Sequence, residues 1–316
     1  MADNRRKTLT WVGVGIIAVI AVIFGVLKSK EAALGKEPAI KVYIADKKQV
    51  LELPMEEYVA AVIGGEMKNY WPHEALAAQA IVARTFALKA LEEHRGTGPM
   101  GSDIQAGFKE AQEYKPENVN KAIRGAIKKT RGKVLTENGK LINAWFHSNS
   151  GGKTALAKEG LNLKDPEPAY TLVTDSPDDT EDVPLSDRRW EAEFSKGEIE
   201  AALKKTGLTV KNIDNISIAK RGPSERAETL TVHHTGGVAT VGGNDLRVAL
   251  DPMRMRSNLL TELEVIGDKV IMKGKGFGHG VGLSQWGAHN MAKAGKHHES
   301  ICRHYFKNVK IEKRWV

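Results

Sequence analysis

Four groups of residues in this 316-residue chain carry chemistry in their type and spacing. The first is Glu66. Met55, Val59 and Val62 fall at spacings of four and three, and Glu66 takes the next place on that apolar helix stripe. Burial disfavours the charged form of a carboxyl and raises its pKa, which suits a general acid for glycosidic cleavage near neutral pH. Gly64 and Gly65 just before it allow a ligand or another stretch of chain to approach closely. A glutamate paired with a buried arginine, or one reaching water past the helix end, is the rival explanation.

The second group is Arg84, on the stripe Ala77, Ile81, Leu88 and Leu91 of an otherwise small and apolar segment. A guanidinium there needs a partner, either a substrate or a carboxylate that clamps two helices. The third is Phe146-His147-Ser148-Asn149-Ser150-Gly151-Gly152-Lys153-Thr154, whose hydroxyls, imidazole and backbone N–H groups can face a polar ligand or form an ordinary turn. Its spacing is not that of a phosphate-binding loop. The fourth is Gly274 to Gly282, where glycines alternate through His279, followed by Ser284, Gln285 and Trp286. No stable exposed strand would choose that pattern, so backbone must pass close to something there. Ser284 is placed to cap a helix that carries Gln285. The binding set expected around Glu66 is therefore Arg84, His147, Ser148, Ser150, Gly152, His279, Ser284 and Gln285.

No metal or other cofactor is expected for catalysis. No cysteine flanks His147, and the pairs His233-His234 and His297-His298 lack a metalloprotease helix spacing. One cysteine, Cys302, excludes an intramolecular disulfide and a Cys-rich zinc site. The net charge of +8 suits an acidic polymer, an anionic surface or simple solubility. No nucleic-acid fold signature accompanies it, so no nucleic-acid partner is expected. An apolar share of 41% is enough for a real core.

These groups need elements to hold them. Ile40, Val42 and Ile44 alternate as a strand, Pro54 opens a helix that ends near Glu66, and Pro72 opens a second running to about His94. Val134–Thr136 and Leu141–Phe146 flank Asn138-Gly139, which predicts a type I′ hairpin. Residues near 213–218, 229–232 and 265–272 read as short strands, and Asn244-Asp245 as a helix cap. The acidic, proline-interrupted stretch Asp165–Asp187 reads as an irregular surface excursion. Short strands mixed with helices predict an α+β fold, with two lobes and a cleft.

Leu9–Leu27 is nineteen uncharged residues, enough to span most of a ~30 Å hydrocarbon core. Arg5, Arg6 and Lys7 precede it, which keeps residues 1–8 in the cytoplasm and sends the rest outside. A cleaved signal peptide is the alternative, but no small-x-small site follows the run. The expected organisation is a tail at 1–8, an anchor at 9–27, a linker at 28–38 and an extracytoplasmic domain at 39–312, in the cell membrane.

In these blocks the chain resembles the stage II sporulation protein D family, also described as amidase enhancers. The matching pieces are Glu57-Tyr58-Val59 through Glu66-Met67, Pro72, Glu74 to Ala80, Ala83-Arg84-Thr85, Phe146 to Thr154, Gly276 to Gly280, Gly282 to Ala288 and His304-Tyr305-Phe306. The resemblance implies a lytic transglycosylase that cuts peptidoglycan glycan strands during engulfment, with Glu66 as catalytic acid. It also implies two partners: a stem-peptide amidase, stage II sporulation protein P, and a membrane scaffold, stage II sporulation protein M. One carboxyl suffices for an internal transfer that activates no water. A non-catalytic glycan-binding module that stimulates an amidase, and a muramidase that uses water, are the competing functions.

Overall fold

The computed structural model describes residues 34–107 and 112–316. The expected tail and anchor, residues 1–27, lie outside the described residues, as does the linker up to residue 33. Among the described residues no helix is long and apolar enough to cross a membrane.

Strand β1 (Ala39–Ile44) pairs antiparallel with β2 (Gln49–Pro54), and its alternation buries Ile40 and Val42. Helix α1 (Met55–Glu66) follows directly, then α2 (His73–His94). The expected stripe of α1 is buried, but so are Tyr58, Ala60, Ala61 and Ile63, so the helix is a core element enclosed on nearly all sides. Its many small residues, and the alanines of α2, let the two helices lie close together. Strand β3 (Ile104–Ala106) adds to β1 in parallel. Helix α3 (Lys121–Thr130), missed by the sequence reading, is capped by the Asn120 side chain, which accepts from the Ile123 N–H.

Strands β4 (Lys133–Glu137) and β5 (Lys140–Leu141) form the expected hairpin, with Asn138 and Gly139 at φ 50° and 78°. Its second arm is shorter than expected, because β6 (Phe146–His147) pairs elsewhere.

After short helices α4 (Ala157–Leu161) and α5 (Leu185–Arg188), a second core forms around β7 (Arg189–Ser195), α6 (Lys196–Lys205), β8 (Ile213–Arg221), β9 (Ala227–His234), β10 (Gly237–Gly242), α7 (Gly243–Leu250), β11 (Leu260–Ile266) and β12 (Lys269–Lys275). Its sheets run β10-β9-β8 and β11-β12-β7, with antiparallel neighbours. Residues 265–272 are not one strand. Gly267, at φ 58°, turns the chain between β11 and β12. Asn244 and Asp245 lie inside α7 rather than capping it.

The chain then returns to the first core through β13 (Leu283–Ser284), α8 (Gln285–Lys293), α9 (His298–Tyr305) and β14 (Lys310–Lys313). Strand β14 pairs with β4, and Trp315 just after it is buried in the first core. The fold is α+β, with two separate principal cores, the first built from residues that precede and follow the second in sequence.

Candidate active site

Glu66 is the last residue of α1 and is half-buried. Segment 112–118 runs across the helix end as a strap. The Lys115 N–H donates to Ala61 O at 3.0 Å, and Asn118 Nδ2 donates to Gly64 O at 2.9 Å. A Cβ on Gly64 would sit 2.6 Å from Lys115 O, and one on Gly65 would sit 2.9 Å from Glu113 backbone. The two glycines thus admit the chain's own strap. That close approach lets the Glu113 N–H donate to Glu66 Oε1 at 2.8 Å.

The other oxygen, Oε2, accepts from Gln285 Nε2 at 3.2 Å, across 219 residues of sequence. Gln285 opens α8, whose N-cap is Ser284. Burial raises the Glu66 pKa above the usual carboxyl range; the hydrogen bonds from Glu113 and Gln285 and the charge of Lys115 oppose this, and the charge of Glu113 adds to it. Glu113 is an acidic neighbour that sequence reading did not anticipate. Trp71, five residues past Glu66, and Trp286, next to Gln285, pack with ring centroids 4.6 Å apart, and Lys68 Nζ lies 5.0 Å from the centroid of the Trp286 ring. Tyr70, four residues past Glu66, is 75% exposed.

The third and fourth sequence groups meet. Strand β13 lies parallel to β6, with Leu283 opposite Phe146 and Ser284 opposite His147. Phe277 and Asn149 exchange backbone hydrogen bonds. A Cβ on Gly278 would meet His147 Cβ at 2.7 Å, and one on Gly280 would strike the Arg226 guanidinium at 2.3 Å. Gly276 and Gly278 are therefore required by packing against the His147–Gly151 block, and Gly280 by the Arg226 guanidinium. His147 and His279 lie with rings 5.5 Å apart. Burial, aided by Arg226 and Arg247, pushes His147 down to about 3, and burial with His147 and the same arginines carries His279 well below its ordinary value. Both imidazoles are neutral in neutral solution. Ser148 is half-buried, and its carbonyl accepts the Trp286 N–H at 3.0 Å.

Ser150, Gly152 and Ser284 serve a different purpose from the expected one. All three converge on Asp178, which is fully buried. Asp178 Oδ2 accepts from the Ser150 N–H and Ser176 Oγ at 2.8 Å, and from Ser150 Oγ and Ser284 Oγ at 2.5 Å. The Gly152 N–H donates to Oδ1 at 2.8 Å. These hydroxyls are not presented to a ligand, because they saturate a buried carboxylate. Asp178 also corrects the view of residues 165–187 as a surface excursion: this stretch carries the hub that joins the serine-glycine block to the cap of α8.

Arg84 is likewise structural. It is fully buried, with Nε and Nη2 bonded to Glu56 Oε1 and Oε2 at 3.1 and 2.6 Å. Its Nη1 donates to Lys133 O at 3.0 Å. Glu56 Oε1 also accepts from the Gly132 N–H and Trp315 Nε1. The pair clamps α1, α2, β4 and the end of the chain, and leaves Arg84 nothing to offer a glycan. Arg226, not singled out from sequence, is fully buried and donates to Ser150 O at 2.7 Å and Lys153 O at 3.0 Å. No spacing in the sequence marked it or Asp178, since both act between distant segments.

A family model described as Stage II sporulation protein matches residues 43–136, and a domain of unknown function matches residues 142–282. The chain is 30% identical over 299 residues to stage II sporulation protein D of Bacillus amyloliquefaciens, covering 90% of this chain and 82% of that protein. It is 29% identical over 297 residues to stage II sporulation protein D of Bacillus subtilis, with the same coverage of 90% and 82%. Against the amidase enhancer of Bacillus subtilis it is 28% identical over 286 residues, covering 78% of this chain and 39% of that protein. With Glu66 and its strap inside the first match and a relative this similar along nearly its whole length, the chain belongs to the stage II sporulation protein D family.

Proposed function

We propose that this chain acts on the cell wall during sporulation as a lytic transglycosylase, cutting the MurNAc–GlcNAc bond of peptidoglycan with Glu66 as its acid–base group. The observation that carries this reading is the carboxyl itself. It ends a buried helix, its pKa is raised by burial, and it is held by one backbone and one side-chain donor. A glycan would lie across the end of α1, in a cleft between lobes built on the two cores, with exposed Tyr70 beside it. Protonated Glu66 gives its proton to the glycosidic oxygen as the C1–O bond breaks. The C6 hydroxyl of the same MurNAc then attacks C1, and the carboxylate takes that hydroxyl's proton, closing a 1,6-anhydro ring and restoring the acid. Gln285 and the Glu113 N–H orient the carboxyl and stabilise its ionised form between the two transfers.

Digestion of purified glycan strands, with mass analysis of the termini, tests the reaction. Anhydro ends are expected. Glu113 favours a second reading, a muramidase in which this neighbouring carboxylate activates water. That route yields reducing ends, and Glu113→Gln would then abolish cleavage instead of leaving anhydro products.

The name of the Bacillus subtilis amidase enhancer motivates a stem-peptide amidase as a partner, with stage II sporulation proteins P and M as the amidase and scaffold to test for association. For the apolar run Leu9–Leu27 we propose a single-pass anchor with residues 39–316 outside the cell. Protease added to wall-stripped intact cells should degrade those residues. Degradation only after permeabilisation would reverse the topology.

A further inference from the structure

A second cluster of ligating side chains takes no part in the chemistry proposed for Glu66. Glu74 stands in the first turn of α2, and His297 and His298 begin α9. His298 is 1% exposed, and both its backbone N–H and its Nδ1 meet Glu74 Oε2, at 2.9 and 2.7 Å. His297 Nε2 lies 3.9 Å from the same oxygen. The two imidazoles lie side by side with centroids 3.8 Å apart. Among the described residues this is the one group of three whose ligand atoms all fall within 4.8 Å of one another.

The geometry points to a divalent metal site of zinc's chemistry, with Glu74 Oε2, His298 Nδ1 and His297 Nε2 as ligands. Two imidazole nitrogens and one carboxylate oxygen form a donor set that zinc favours. Tetrahedral zinc at its usual bond lengths places ligand atoms ~3.3 Å apart, so the 2.7 and 3.9 Å separations seen here need side-chain shifts of about half an ångström.

The close contact between His298 and Glu74 brings two electron-rich atoms together and needs a positive centre between them. A proton on Nδ1 serves in the metal-free chain. A metal ion can replace it, with that proton moving to Nε2, which is buried and has no hydrogen-bond partner.

The surrounding residues fit a ligand set. Lys129 bonds the other oxygen of Glu74, Oε1, and so orients the carboxylate with Oε2 toward the histidines. The Lys129 side chain is 39% exposed, so water screens its charge from that of the ion. The His73 Nδ1, 3.8 Å from Oε1, stands beside the cluster, and water or this ring completes the fourth position. The ion would tie α9 to the start of α2, a link between residues 224 apart in the chain. An ion that binds only the folded state stabilises it as its concentration rises.

The test uses the full chain in detergent, stripped with a chelator, and zinc alone as the probe. Isothermal titration should show one equivalent of zinc, and the melting temperature should climb with zinc concentration. His297→Asn is the decisive variant. Asparagine is a good N-cap, so α9 and the metal-free melting temperature should survive, while the zinc equivalent and the zinc-dependent rise disappear. Glu74→Gln should lose both as well. Absence of zinc uptake by the parent, or uptake unchanged in His297→Asn, overturns the site and leaves the trio as a helix cap with an ion pair. Glycan cleavage by His297→Asn should match the parent, which keeps this test separate from the one on Glu66.

Discussion

Glu66→Gln should lower glycan cleavage by ~10²–10⁴-fold while the protein stays folded. Glutamine keeps the volume of the side chain and can still meet the Glu113 N–H with its oxygen, but it cannot cycle a proton. Its stability has a defined sign. The folded-state pKa of Glu66 is raised, so the protonated carboxyl contributes stability that is fully present in acid, below the unfolded value, and is lost as pH rises through the raised value. Glutamine never ionises and escapes that loss. Glu66→Gln should therefore melt at or slightly above the parent at neutral pH. Parent cleavage should fall on the alkaline side as the acid ionises. In Gln285→Leu that limb should move to higher pH, because a hydrogen bond favouring the ionised form is gone, and the rate should drop ~10-fold, the worth of one bond to a charged group. A folded Glu66→Gln protein that still released anhydro products at the parent rate would move the non-catalytic glycan-binding reading ahead.

Asp178→Asn should cause the largest loss of stability of any single substitution considered. The carboxylate accepts from two backbone N–H groups and three hydroxyls. An amide turns two donors of its own toward some of these donors and removes the charge that Arg226 sees nearby. Breaking such a buried charged network costs ~3–5 kcal/mol. At roughly 2–4 °C per kcal/mol for a domain of this size, thermal unfolding should move down by roughly 10 °C. Cleavage measured well below the new melting point should also weaken, since Ser284 would lose the anchor that sets α8 and Gln285. A melting temperature within about 2 °C of the parent, a shift worth under ~1 kcal/mol, would show that the hub is not structural.

Much of the fold was legible because it depends on local rules. The alternation in β1, the prolines before α1 and α2, and Asn138-Gly139 each specify backbone geometry within a few residues. The errors share a cause. The strand expected at 265–272 is a hairpin because Gly267 breaks an apolar stretch that periodicity alone reads as continuous. The stretch 165–187 looked like surface because it is acidic and interrupted by prolines, and composition cannot show that one of its aspartates has several buried donors aimed at it.

The sequence alone determined the α+β class, the glutamate at the end of an apolar helix and the close backbone packing demanded by the glycine run, because each is written in residue type and short-range spacing. Only the tertiary structure decided which partner each polar side chain meets. Arg84, Ser150 and Ser284 looked like binding groups, yet their partners Glu56 and Asp178 close them into the interior, whereas Gln285 does reach Glu66. A hydrogen bond forms where two groups meet in space, and segments 219 residues apart meet only because the first and last parts of the described chain share one core.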